Sequence, residues 1–157
     1  MAEVDIVHAT PAHAAHVAAH MRDADRAEVW ATARLTPAEA LAGSIRSTPA
    51  PLAGLVDGVP LCVFGIAPRG LLSGEGVPWL LGTDDIRRHR RQFLPESRLV
   101  LGVIARGFDL LVNHVDARNS LSIRWLSWLG FQIHPAEPFG VDRLPFHRFT
   151  MEGTGHV

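Results

Sequence analysis

The apolar and polar positions open with alternation at Val4–His8, which predicts a short strand. Thr10-Pro11 then supplies an N-cap and a proline at the first helical position, so a helix runs to about Met21. Residues 22–25 are polar, and a second helical stretch follows to about Ala33. Thr36-Pro37-Ala38-Glu39 is a capping box, opening a third helix that turns Leu41 and Ile45 inward. Pro49 and Pro51 end that region, and two strands at 52–56 and 59–67 are joined by Asp57-Gly58, a tight-turn dipeptide. A loop at 70–76 leads to a strand at 77–81 and a loop at 82–85. Pro95 is expected in the first turn of a helix reaching Ala105, stopped by Gly107. A strand at 110–116, a helix at 119–129 closed by Gly130, a strand at 131–134, a Pro/Gly loop and a strand at 145–151 complete the chain. Hairpins followed by β-α-β-α-β predict an α/β (α+β) domain: a mixed, mostly antiparallel sheet of six to seven strands covered by helices.

Composition narrows the class. The chain has 157 residues, 47% hydrophobic and 20% charged, which reads as one globular domain over 1–157 without repeat or linker. A net charge of -1 gives no basic excess for nucleic acid or an acidic membrane. Cys62 is the sole cysteine, so no intrachain disulfide forms. The acidic start at Met1 to Asp5 lacks a signal pattern, and no stretch approaches the ~18 apolar residues of a membrane span. These features together give the expectation of a cytoplasmic protein. There is no tyrosine.

The most informative stretch is Asp116 to Phe131, D-A-R-N-S-L-S-I-R-W-L-S-W-L-G-F. At helical spacing Leu121, Trp125, Trp128 and Leu129 form an apolar stripe. Ser122 is a small residue within it, and Asn119 stands at the N-cap. Asn119, Ser122, Trp125, Leu129, Gly130 and Phe131 resemble the late helix of the GNAT acetyltransferases, whose order of elements also matches nearly the whole chain. More narrowly, W-L-L-G-T at 79–83 with V-D-A-R-N and R-W-L-S-W-L-G-F resembles GNAT-like proteins of short-tailed phages, usually encoded near virion-assembly genes.

The resemblance implies an acetyl-CoA-dependent N-acyltransferase acting on a small-molecule or protein amine. The cofactor would lie between the fourth and fifth strands. Backbone groups of Trp79, Leu80 and Leu81 would hold its pantetheine, Gly82, Thr83, Arg87 and Arg88 its pyrophosphate, and Asn119 and Ser122 would line the thioester end. Two departures stand against this. The family tyrosine falls on Leu126, and the glycine-rich pyrophosphate loop is replaced by G-T-D-D-I-R-R-H-R-R-Q-F. The arginines of this stretch read either as a solvated surface face or as charge substituting for the backbone donors, with Asp84 and Asp85 opposing the latter. The alternative is a non-enzymatic module of the same fold, with phage virion proteins as partners, located in the host cytoplasm or the virion.

Glu28 reads as a general base on the acceptor side or as a surface glutamate. Asp116 reads as a base or as a cap of the Asn119 turn, and His114 is equally open. His13, His16 and His20 share a helix face, but no matched carboxylate or cysteine accompanies them, so an exposed polar stripe is expected and no metal. Cys62, in an apolar strand, reads as a buried thiol. Trp125 and Trp128 are assigned to the core, while Trp30 and Trp79 are left open.

Overall fold

A computed structural model describes residues 3–153; Met1 and Ala2, part of the acidic N-terminal reading, lie outside it. The elements run β1 (Val4–His8), α1 (Pro11–Ala19), α2 (Asp23–Ala33), α3 (Pro37–Ser47), β2 (Leu52–Val56), β3 (Val59–Pro68), β4 (Glu75–Gly82), α4 (Asp85–Arg88), α5 (Arg90–Ile104), β5 (Leu110–Asp116), α6 (Ser120–Leu129), β6 (Gln132–Phe139) and β7 (Leu144–Glu152). The helix starts follow local chemistry. Thr10 accepts from the His13 amide while the His13 ring accepts from the Thr10 amide, and Thr36 and Glu39 cap α3 in the same reciprocal way. No described helix is long and apolar enough to cross a membrane.

The strands form one seven-stranded sheet in the order β1-β2-β3-β4-β5-β7-β6. Every neighbouring pair is antiparallel except β4–β5, which is parallel and joined by the α4–α5 crossover. One face packs under α1 and α3, with Val17, Met21, Leu41, Val63 and Leu81 buried together. The other packs under α5 and α6, where Cys62, Phe64 and Phe93 form one cluster and Leu111, Val115, Phe131 and Phe149 another. Cys62 is the expected buried thiol, and burial pushes its pKa up to about 12.

Three expectations are corrected. β4 begins at Glu75, inside the expected loop, because Gly76 pairs with both neighbours and a Cβ there would stand 2.6 Å from Ile66 and 2.8 Å from Phe108. α5 begins at Arg90, so Pro95 lies inside the helix rather than in its first turn. β6 continues to Phe139 through Pro135 and Pro138. It is an edge strand with a register shift between Ile133 and Ala136, and an outer edge tolerates residues without a donor.

Candidate functional site

The parallel ladder between β4 and β5 lasts two residues, Glu75 with Leu110 and Gly76 with Leu111. Beyond it the strands part. Asn113 spans the start of the gap, its side-chain amide donating to the Pro78 carbonyl at 2.7 Å. Thr83 donates to Leu61 on β3, so strand alternation turns the backbone groups of Pro78, Leu80 and Gly82 toward the gap. Trp79 and Leu81 spend theirs on β3. A cavity of about 340 Å³ occupies the gap and is lined from both faces of the sheet, by Glu28, Thr32 and Trp79 on one and by Phe93, Trp125 and Leu126 on the other. The sheet is therefore open where its two parallel strands end, the position at which α/β sheets form ligand crevices.

A polar network closes the C-terminal end of this gap. The Asp116 amide and the Asn119 side-chain amide both donate to Glu28 Oε1, at 2.9 and 3.0 Å. The Asn119 carbonyl oxygen in turn accepts from Arg22 at 3.0 Å and from the Ser122 amide at 3.3 Å. Arg22 lies 3.7 Å from Asp25, whose carboxylate accepts from the Gly82 amide at 2.9 Å, while the Arg22 amide donates to the Gly82 carbonyl. Burial raises the Asp25 carboxyl, against the Arg22 charge and the Gly82 bond. Burial also dominates at Glu28, lifting its pKa to about 7, with Asp25 and Asp116 adding to the rise and the Asn119 and Asp116 hydrogen bonds opposing it.

Asp116 is arranged differently. Burial works to raise its carboxyl, but the hydrogen bonds and charge of Arg118 outweigh it and hold the pKa below the usual value. Arg118 donates through its amide and guanidinium, at distances down to 2.6 Å. Of the two candidate bases, Glu28 lines the cavity, and Asp116 presents its amide to Glu28 while its carboxylate anchors Arg118.

A second cavity, about 270 Å³, lies between the start of α5 and α6. Arg22, Arg87, Arg90 and Arg124 line it, over Leu94, Trp125 and Trp128, with no carboxylate among the lining side chains. Trp125 borders both cavities, and its indole N–H is buried without a hydrogen-bond partner. Arg88 is exposed on α4 and does not line this cavity. Thr83 is buried, its amide bonded to Leu61 and its hydroxyl without a hydrogen-bond partner.

Ser122, Glu28, Leu80, Leu81 and Trp79 thus line the gap, and Asn119 stands behind it on Glu28, with the Arg22–Asp25 pair unforeseen at its end. The polar interruption 22–25 between two helices was their sole sequence signal, and it carried no partner. Arg124 was likewise missed, since it has no motif and shares a cavity with Arg87 of α4 and Arg90 of α5 through folding alone. Leu126, at the position of the family tyrosine, does line the cavity and offers no proton. Trp128 departs from its expected place in the core: it is 42% exposed, with the Arg98 guanidinium 3.9 Å from its ring centroid, because the buried side of α6 is set by Ile123, Trp125, Leu126 and Leu129. Trp30 is exposed beneath Arg34, and Trp79 is partly buried with its indole donating to Thr48. His16 and His20 have rings 4.6 Å apart, and no group of three His, Cys, Asp or Glu side chains suited to a metal occurs among the described residues.

No protein-family model and no curated protein matches this sequence. Solved structures do. The ribosomal-protein-S18-alanine N-acetyltransferase from Escherichia coli aligns with 99% of this chain and 97% of its own, at a TM-score of 0.66 and 13% identity. A GCN5-related N-acetyltransferase from Kribbella flavida aligns with 95% and 97%, at 0.65 and 16%. YncA from Salmonella typhimurium, solved with its cofactor acetyl-CoA, aligns with 99% and 96%, at 0.62 and 17%. The seven-stranded sheet, the parted β4–β5 pair and the full-length superposition together establish that this chain has the fold of the GNAT N-acetyltransferases.

Proposed function

We propose that the protein is an acyl-CoA-dependent N-acyltransferase. The observation that carries this is a carboxyl with a pKa of about 7, Glu28, set in the wall of a cavity that passes through the sheet between β4 and β5. Two substrates entering from opposite faces would meet there, and holding them together supplies a large part of the rate.

The residues fit acetyl-CoA in a modified way. Leu80 offers one amide and one carbonyl to a pantetheine arm, and the unpartnered Trp125 N–H stands between the two cavities as a further donor. Arg87, Arg90 and Arg124 would hold phosphates by charge. The Gly82 and Thr83 amides are already taken, by Asp25 and by Leu61, so neither is free for a diphosphate. Acetyl-CoA supplies an acyl group activated as a thioester. Glu28 removes the proton that makes an acceptor ammonium unreactive, and Asn119 with the Asp116 amide fixes Glu28 Oε1, leaving Oε2 for that proton.

Calorimetric titration of the protein with acetyl-CoA and CoA tests this directly. Saturable binding that weakens when Arg87 and Arg90 are both replaced by Glu supports the reading, and absence of binding at millimolar ligand rejects it. The Asp25–Gly82 bond and the leucine at 126 favour one second reading, a non-enzymatic module of this fold acting in phage virion assembly. Its partner surface would include Leu71 and Leu72, fully exposed at the tip of the β3–β4 hairpin. Acetyl-CoA binding with turnover would dismiss it.

A further inference from the structure

The α2 side of the cavity has a chemistry of its own. Its walls are Val29 and Thr32 of α2, Leu35 beyond it, Trp79 of β4 and Phe139 of β6. The charged side chains lining the whole cavity are Asp25 and Glu28, and Asp25 is committed to Gly82 and Arg22. His114 stacks on Phe139, with ring centroids 3.8 Å apart and planes 9° apart. Burial and the charges of Arg148 and Arg69 lower its pKa, so it presents a neutral ring.

On this side the end of α2 is bonded to the β6–β7 turn. In the β6–β7 turn, Val141 and Asp142 donate backbone hydrogen bonds to the carbonyls of Thr32 and Ala31, and Asp142 pairs with Arg34. Gly140 packs so closely that a Cβ would stand 2.8 Å from the Ala31 carbonyl oxygen. The end of α2 is therefore joined to the turn by backbone contacts, and no groove runs between them for an extended polypeptide. The cavity's 340 Å³ is at the small end for ligand sites and must hold the acceptor together with the thioester end of the cofactor.

We infer that the acceptor is a compact, singly charged primary amine with an apolar or aromatic body, its ammonium at Glu28 and its body between Trp79 and Phe139. This rests on the acyltransferase reading. A second ammonium, as in a polyamine, would enter an apolar wall with no carboxylate to pair it, at heavy desolvation cost. A lysine within a folded protein would need its backbone laid across the closed α2–turn contact.

The test is thermal unfolding at pH 8, where Glu28 is ionised, with 2-phenylethylamine, spermidine or a lysine-containing peptide, each alone and with acetyl-CoA. Phenylethylamine is expected to raise the melting temperature in a saturable way, and the other two are not. Glu28→Gln keeps an oxygen acceptor for both hydrogen bonds and should weaken phenylethylamine at least about tenfold through loss of the charge. Phe139→Ala, a change on an edge strand, should weaken it about tenfold through loss of the aromatic wall. Stronger stabilisation by spermidine or the peptide, or phenylethylamine binding unchanged in both variants, overturns the inference while an acetyl-CoA shift keeps the acyltransferase reading. Absence of an acetyl-CoA shift removes that reading, and the amine comparison still decides whether this wall is an apolar-amine site.

Discussion

Glu28 holds its proton more tightly in the folded protein than in the unfolded chain, and this has opposite consequences for stability and for the proposed catalysis. Its folded pKa of about 7 exceeds the ordinary 4.5, so the folded state binds the extra proton between those values. Stability therefore declines as pH rises from 4.5 to about 7, and Asp25, also raised, acts in the same direction. Glu28→Gln should flatten that decline in denaturant unfolding curves measured from pH 4 to 8. As a base, Glu28 must be ionised, so acyl transfer should climb through about pH 7. The Gln variant should lose ~10²-fold or more of kcat/KM and the rising limb with it. At Asp25, Asn keeps an oxygen acceptor for the Gly82 amide while removing a negative charge next to Arg22. Asp25→Asn should therefore tighten binding of CoA, measured by calorimetry, with the gain shrinking at high salt.

At the scale of elements, the sheet depends on small residues where strands meet helices. A Cβ at Gly54 in β2 would lie 2.7 Å from the Phe93 ring and 3.1 Å from the Cys62 sulfur, beside the register shift between Gly54 and Leu55. Gly54→Ala should destabilise the fold by about 1–3 kcal/mol, read from urea unfolding midpoints, because the buried ring has little room to retreat. Helix caps were legible in sequence because a cap is a contact over three or four residues: Thr10, Thr36 and Asn119 each accept the amide three positions on. The length of β6 was not. Pro135 and Pro138 argue for a loop unless the strand is known to lie at an edge, and edge position is a property of the whole sheet.

For the whole molecule, the decisive arrangement is the through-sheet cavity, with a cluster of arginines at one approach and an apolar wall at the other. A ligand that binds only the native state must raise the melting temperature, by ~2.7 kcal/mol of stability at one hundred times its Kd. Acetyl-CoA should do so in a concentration-dependent manner, and the proposed phosphate binding by arginine charge rather than backbone amides predicts that doubling salt from a physiological level reduces the effect. A shift insensitive to salt would contradict the role given to Arg87, Arg90 and Arg124.

Periodicity and capping chemistry, both short-range, determined by themselves the order of the main elements and the capped starts of α1, α3 and α6, but not the starts of β4 and α5. The Asn119-to-Phe131 pattern pointed to the fold that full-length superposition shows. Glu28, Asn119 and Ser122 could be named from sequence, but not that the first two share a hydrogen bond across 91 positions. Tertiary structure alone decided that Arg22 and Asp25 occupy both backbone groups of Gly82, and that Arg124 joins Arg87 and Arg90. It also separated Glu28 from Asp116, two carboxylates that look alike in sequence. A carboxyl's basicity depends on which charges and amides surround it after burial, and those neighbours come from remote parts of the chain.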